Sequence, residues 1–530
     1  MSETAAPAAF HQKLGLFDAT MLVAGSMIGS GIFVVSCSIS QEVGSSGWLL
    51  LLWILTGVLT IAGALSFAEL AAMMPNAGGQ YVFLREAYGP VWGFLYGWTC
   101  FLVIQTGFIA AVGVAFSKYL GVLVPELGAD YYLVEWAQPH INLQVPVPWM
   151  DEPLTFFKKD GFKISSGQLV AVAVAVVLAA INSFGIEQGR WVQNLLTVSK
   201  MLGLAMLIVI GLSVAVQAEA MRVNFADLWS GLTESKPFLD VAKFAPWTPL
   251  AAVMLLSGAM VGSLFSADAW NNVTFVAGEI KNPQRNLPWG LLLGTGSVIV
   301  LYVLANFAYL SSLQMRTHFD IGAAGSGAIY GIAEPMAKEE FTALRGIDHA
   351  RDDRVGTAVL ERVSPNLGVP IMAIIIMIST FGCNNGLTIM GARLYYAMAR
   401  DGLFFQAVGK LNAQGVPAVG IWLQCAWTIV LIFSGSYNDL LDYIIFAALM
   451  FYILTVSAVF VLRVKKPDAP RPYRAWGYPV VPAIYVVLCA VIMLSLLVVK
   501  PVYSWPSFII VLTGIPVFFL WRAVNRPDSA

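Results

Sequence analysis

Apolar stretches, each about as long as a helix that crosses hydrocarbon, recur along the chain with short polar intervals between them. A spanning helix takes roughly 20 mainly apolar residues. Stretches of that kind lie near 18–42, 47–73, 90–119, 167–185, 190–216, 249–278, 287–311, 367–399, 417–435, 439–462, 479–499 and 505–522. Polar punctuation separates them, such as Pro75-Asn76-Ala77-Gly78-Gly79 after the second and Lys281-Asn282-Pro283 after the sixth. The pattern predicts an all-α polytopic membrane protein of about 12 transmembrane helices.

Composition rules out the alternative that a length of 530 residues would suggest, a string of soluble domains. Hydrophobic residues make up 58% and charged residues 12%, where soluble chains carry about 25% charge. Such a chain lacks the polar groups to cover a water-facing surface, and lipid demands no such cover. The lipid bilayer is its expected partner. A net charge of -1 offers no basic excess for nucleic acid. No charged n-region leads into a cleavage site, so the N-terminus is expected to be retained. Cys37, Cys100, Cys383, Cys425 and Cys489 all fall in apolar stretches and read as buried thiols. His11, His140, His318 and His349 fall in loops or the tail, so neither a metal nor another cofactor is expected.

Two spans are poorly built as helices. The first contains Gly25-Ser26-Met27-Ile28-Gly29-Ser30-Gly31, and each Gly weakens a helix by roughly 1 kcal/mol relative to Ala. The sixth contains Ser257-Gly258 and Gly262-Ser263-Leu264-Phe265-Ser266-Ala267-Asp268, placing an acid near the membrane centre. Small residues also mark close helix packing. Paired interruptions at corresponding places in two halves, however, point to a transporter binding site. The two defects are five spans apart, an odd spacing, so the second set runs in the opposite direction, as in a five-plus-five inverted repeat with broken first and sixth helices. The expected division is a cytoplasmic tail 1–17, a first repeat 18–216, and a second repeat 249–462 with a long outer loop 312–366. Two further helices at 479–522 and a cytoplasmic tail 523–530 complete it.

The breaks have a chemistry. Unwinding frees N–H groups at the start of one half-helix and carbonyls at the end of the other. Amides near Ser30, Gly31 and Ile32 suit a carboxylate, aided by the positive end of the helix dipole. Carbonyls near Phe265 and Ser266 suit an ammonium. An α-amino acid carries both groups on one carbon.

Gly29-Ser30-Gly31-Ile32-Phe33 resembles the carboxylate-binding signature of the amino acid–polyamine–organocation superfamily. Ala64-Leu65-Ser66-Phe67-Ala68-Glu69-Leu70, followed by Pro75-Asn76-Ala77-Gly78-Gly79-Gln80-Tyr81, is similar to that superfamily's second-helix end and cytoplasmic loop. Trp270-Asn271 with Glu279-Ile280-Lys281-Asn282-Pro283-Gln284-Arg285-Asn286-Leu287-Pro288 resembles the connection after the sixth helix in its L-type amino acid transporter branch. The resemblance implies alternating access, with the carboxylate on Ser30 and Gly31, the amine against Met27, and Phe265 as an aromatic gate beside the Ser266 carbonyl. Eukaryotic L-type transporters bond a heavy subunit through a cysteine in the loop after the third helix. Residues 120–166 contain no cysteine, so no disulfide-linked partner is expected.

Lys200 lies about ten residues into the fifth span, where a lysine costs about 2.5–3.5 kcal/mol on insertion scales. Carbonyls freed at the first break are its expected acceptors. In related transporters without sodium coupling, a similar lysine stands where a sodium ion would sit. Asp268 could bind the substrate amine, contact a basic side chain, take a proton, or merely accept hydrogen bonds from the frayed helix. Some relatives accepting cationic amino acids carry an acid at the like position. Asn384 and Asn385 of the eighth span could face Lys200, keep a cavity wet or join helices. Trp270 and, on the tenth span, Tyr443 and Phe446 are further pocket candidates. Glu69 and Arg85 suit a gate or an ordered loop. The charged patch from Arg345 to Arg354 reads as a solvated outer loop with a short helix.

The function expected is sodium-independent amino-acid transport, most simply as an exchanger. A proton-coupled symporter is the alternative, and a membrane sensor that binds without transporting is a remote one. An embedded enzyme would need a nucleophile–base pair or metal cluster, and the spans contain no histidine. Basic residues crowd the short segment Arg463-Val464-Lys465-Lys466 with Arg471 and Arg474. That favours cytoplasmic termini in a plasma or inner membrane.

Overall fold

The computed structural model describes residues 12–129, 131–146, 154–235, 237, 241, 248–316, 319–320, 328–329, 346–350, 353–434 and 437–524. His11, His318, about half of loop 312–366 with Arg345 and Arg351, and the tail after Val524 lie outside the described residues. Among the described residues, ten helices are long and apolar enough to cross a membrane, and the bent pair Leu16–Met27 and Gly31–Val43 makes eleven. The apolar helix Ala418–Ser434, 17 residues long, takes the ninth place. The protein is a multi-pass, all-α membrane protein.

In order, the spans are the bent first pair, Ser46–Met73, Pro90–Leu123, Ser166–Ser183 and Ile186–Ser213. Then come Thr248–Ser266 with Trp270–Glu279, Pro283–Ser312, Pro365–Arg400, Ala418–Ser434, Tyr437–Lys465, Val480–Val499 and Pro501–Val524. Local chemistry sets the ends. Proline opens the third, seventh, eighth and twelfth spans, where no intrahelical N–H bond is lost. Ser165 and Gln168 form a reciprocal cap on the fourth. Gly44, at φ 64°, closes the first.

The third span contains a π-helical turn over Cys100–Ile104. The Thr106 hydroxyl donates to the Phe101 carbonyl five residues back, at 2.6 Å. Residues 120–166, expected only as a long loop, hold an antiparallel hairpin of Tyr132–Val145 and Leu154–Ser165. In the loop after the seventh span, the short helix Val355–Val363 is present, and the Asp348 carbonyl accepts from Gln41 at 2.6 Å.

The fifth span turns Trp191, Leu195 and Leu202 outwards, each about two-thirds exposed, as lipid permits. Charged groups turn inwards and pair. Glu69 takes both Arg463 nitrogens, at 2.9 and 2.7 Å, and the Ala475 amide at 2.7 Å, while Arg85 binds Asp401. These contacts order the end where the basic cluster sits. The Pro75–Gln80 loop is held against the inner half of the sixth span, with the Gly78 amide donating to the Phe275 carbonyl at 3.1 Å. Gly79 has φ 44°, and a Cβ there would lie 2.7 Å from the Thr274 backbone, so both the turn and the contact require glycine.

Candidate functional site

The first span leaves helical geometry at Ile28 (φ -76°, ψ 92°) and restarts at Gly31 with Ser30 as N-cap, bending by 41°. The carbonyls released there are taken by side chains of three other spans. Lys200 donates to Gly25 O, to Ile28 O at 2.9 Å and to Ser379 O at 3.3 Å. The Ser379 hydroxyl reaches Ile28 O at 3.0 Å and Gly29 O at 3.1 Å. Tyr302 donates to Met27 O at 2.9 Å; Tyr309 donates at 3.1 Å to Ile32 O, which lies within the first turn of the second half-helix. The acceptors expected for Lys200 at the first break are therefore present. The second half-helix begins at Gly31, and the Phe33 amide of its first turn donates to Ser30 O at 3.0 Å.

The sixth span ends its outer half at Ser266. Ala269 adopts a left-handed conformation (φ 66°), which costs an alanine roughly 1–2 kcal/mol. Its amide donates to Asp268 Oδ1 at 2.7 Å, which offsets part of that cost. The inner half then runs as a 3₁₀ helix over Trp270–Glu279. The Ser266 carbonyl lies 3.0 Å from the Tyr302 hydroxyl. One carbonyl from each break, Met27 O and Ser266 O, thus converges on a single phenol. The breaks also touch directly: a Cβ at Gly31 would stand 2.8 Å from Ser266 Cβ. Phe265 stacks on Phe108 with centroids 4.7 Å apart and planes at 15°.

Asp268 is buried, and its Oδ1 also accepts from the Tyr452 hydroxyl. Its Oδ2 has no hydrogen-bond partner. Two cavities adjoin this carboxylate. The first is lined by Gln80, Gln105, Asn271 and Asn272 together with Tyr96, Ile104 and Phe108. The second is bordered by Trp270. Neither lining includes Ser30 or Gly31. At the first break Ser266 packs directly against Gly31.

Other candidates sit elsewhere. Asn384 donates to Ile109 O at 3.1 Å, and Asn385 to Gln193 Oε1 at 2.9 Å and Gly189 O at 3.3 Å. Both therefore join the eighth span to its neighbours and do not reach Lys200. Ile32 is buried at the start of the outer half-helix. Tyr443 and Phe446 pack on Tyr503 and Phe508 of the last span, outside both cavity linings. Sequence reasoning missed Tyr302, Ser379, Tyr452 and Gln105. Each lies in a largely apolar span, and the interruptions alone do not say which would turn towards the breaks.

Beyond the site, Glu279 at the end of the sixth span binds Arg393 of the eighth, Nε to Oε1 at 2.7 Å. The Glu279 carbonyl accepts the Lys13 and Leu14 amides at 3.0 Å each. The N-terminal segment, the sixth span and the eighth are thereby tied together at one end.

The amino acid permease family profile matches residues 14–520. The human large neutral amino acids transporter small subunit 2 is 27% identical over 515 residues, covering 97% of this chain and 81% of the relative. The human b(0,+)-type amino acid transporter 1 is 26% identical over 514 residues, 96% of this chain and 88% of its own. The serine/threonine exchanger SteT of Bacillus subtilis is 26% identical over 513 residues, 96% of each chain. A match running from the N-terminal segment into the twelfth span leaves one assignment: this chain belongs to the amino acid permease family of the amino acid–polyamine–organocation superfamily.

Proposed function

We propose that the protein exchanges amino acids across the membrane, without sodium, by alternating access at the first and sixth breaks. The observation that carries this reading is the convergence of Met27 O and Ser266 O on one hydroxyl, beside the amides that open the outer half-helix. An α-ammonium bridges those carbonyls while the α-carboxylate takes the Ser30, Gly31 and Ile32 amides. Gly31 and Ser266 must part for the amino acid to seat, which is the closing and opening that transport needs. Lys200 places a fixed ammonium on carbonyls of the kind a bound cation would use, which supports independence from sodium.

The inverted repeat is supported by packing between corresponding elements. The second span lies on the seventh, the third on the eighth and the fourth on the ninth, and the outer halves of the first and sixth spans pack together. The basic cluster with Arg463 and Arg471 faces the cytoplasm, in a plasma or inner membrane, with both termini on that side. Transport involves no covalent step. A covalent link to a heavy subunit through residues 120–166 has no thiol to use.

Asp268 selects among side chains. Its Oδ2 lacks a donor, and Gln105 and Asn272 border the adjacent cavity, so a basic side chain reaching past Phe265 gains a partner. Asp268→Asn is expected to lower uptake of lysine or arginine at least tenfold relative to a neutral amino acid; an unchanged preference removes the role. Counterflow in proteoliposomes tests the exchange itself. Labelled uptake must depend on internal amino acid. Concentrative uptake into empty vesicles under an inward proton gradient would instead favour symport, with Asp268 as the protonated group.

A further inference from the structure

Gln80 opens the short helix Gln80–Tyr88, which follows the inner loop, and its side chain is buried. Its amide bonds two spans at once. Nε2 donates to Phe451 O at 3.1 Å and to Thr455 Oγ1 at 2.9 Å, both on the tenth span. Oε1 accepts from Asn271 Nδ2, on the inner half of the sixth span, at 2.8 Å. The orientation is forced. Phe451 O can only accept, and the Thr455 hydroxyl already donates its proton there, at 2.7 Å. The Gln80 nitrogen therefore faces the tenth span and its oxygen faces Asn271, which leaves Asn271 Oδ1 towards the Tyr452 hydroxyl at 3.1 Å. Successive residues of a 3₁₀ helix point about 120° apart. Asn272 accordingly reaches the third span instead, where it donates to Gln105 Oε1 at 3.0 Å.

The helix that carries Gln80 is fastened to the eighth and tenth spans. Tyr81 donates to Asp401 Oδ2 at the end of the eighth at 2.7 Å. Tyr88 donates to Leu454 O of the tenth at 2.9 Å, and Lys465 of the tenth donates to Ala87 O at 2.8 Å. When the inner half of the sixth span moves away, this helix stays with the eighth and tenth, and the Gln80–Asn271 bond is the one that parts. Two amides suit that duty. Bonded to each other they are satisfied while buried, and once parted they are satisfied by water.

We propose that Gln80 is a positioning residue of the transport cycle, holding the inner half of the sixth span closed through Asn271 and releasing it to open the site at the end that bears the basic cluster. The proposal rests on alternating access at the two breaks, but closure is measured directly, so it can fail while exchange stands.

The test is the rate of maleimide labelling of Ala448→Cys, beside both cavities, in the full chain in lipid nanodiscs, with the labelled site located by mass spectrometry. Gln80→Leu leaves Asn271 Nδ2 buried without its acceptor when closed, and labelling is expected to quicken about tenfold. Asn271→Leu cuts the same bond from the sixth span and is expected to quicken it too. Gln80→Glu keeps an oxygen for Asn271 and is expected to label like the unsubstituted protein. Gln80→Leu combined with Asn271→Leu removes both polar groups and is expected to restore slow labelling. In counterflow, Gln80→Leu is expected to raise the apparent KM for external amino acid and lower that for internal, whereas a folding defect moves both the same way. Unchanged labelling in Gln80→Leu and Asn271→Leu, or a double variant that labels as fast as either, overturns the proposal. Faster labelling in both single variants, slow labelling in the double and no exchange in any protein would support the Gln80 role and fail the exchange reading.

Discussion

Replacing Arg393 with methionine leaves the Glu279 carboxylate in a place built for an ion pair. The two side chains are 1% and 3% exposed, with 2.7 Å between the paired atoms, so bulk water screens neither. Breaking a buried pair by removing one partner costs about 3–5 kcal/mol, most of it from the stranded charge. At about 1.4 kcal/mol per tenfold, that is a shift of roughly 10²-fold to above 10³-fold against the conformation closed at this end. A double-mutant cycle of Arg393→Met, Glu279→Leu and the pair together isolates the interaction. Thermal unfolding gives the stability of each variant. Maleimide labelling of a cysteine introduced at Asn272, in the first cavity, gives the degree of opening. Arg393→Met is expected to be destabilised and to label faster, and the double variant to recover most of both losses. A coupling energy below about 1 kcal/mol with unchanged labelling would mean that the pair acts like an exposed one, and its role in holding this end closed would be refuted.

Other expectations concern the breaks. Gly31→Val should abolish uptake while leaving membrane insertion intact, because its Cβ meets Ser266. Adding Ser266→Gly makes room, and uptake should stay at least tenfold down because backbone approach by a carboxylate is still obstructed. Full rescue would reduce Gly31 to a packing residue. Lys200→Met leaves the Gly25 carbonyl without the donor seen here, at a cost of about 1–3 kcal/mol. Apparent affinity in concentration-dependent uptake should fall about tenfold, and wild-type kinetics would remove its propping role.

The helices and both breaks are legible because they are written locally. Hydropathy marks the spans, and Gly25, Gly29 and Gly31 mark the first break without knowledge of any neighbour. The Lys200 partnership was readable too, since a deep cation needs acceptors and the break was the nearest supply of unused carbonyls. Tyr302 was not readable. A tyrosine in an apolar helix packs or bonds according to how that helix is rotated, and rotation is set by partners far along the chain. The Glu279–Arg393 pair, 114 residues apart, is hidden for the same reason. The 120–165 hairpin escaped because Pro139 within its first strand argues against a strand.

The π turn at Cys100–Ile104 sets the angular phase of everything beyond it. One residue of α-helix turns the chain by about 100°, so an extra residue stored in a wide turn re-aims the rest of the span without lengthening its footprint in the bilayer. Gln105 and Phe108 follow directly after it. Excising a single residue there would swing both towards other neighbours, uncoupling the aromatic stack on Phe265 while leaving the hydropathy profile almost unaltered. Substrate preference in such a helix can therefore drift by insertion and deletion, a route that a comparison of side chains alone would overlook.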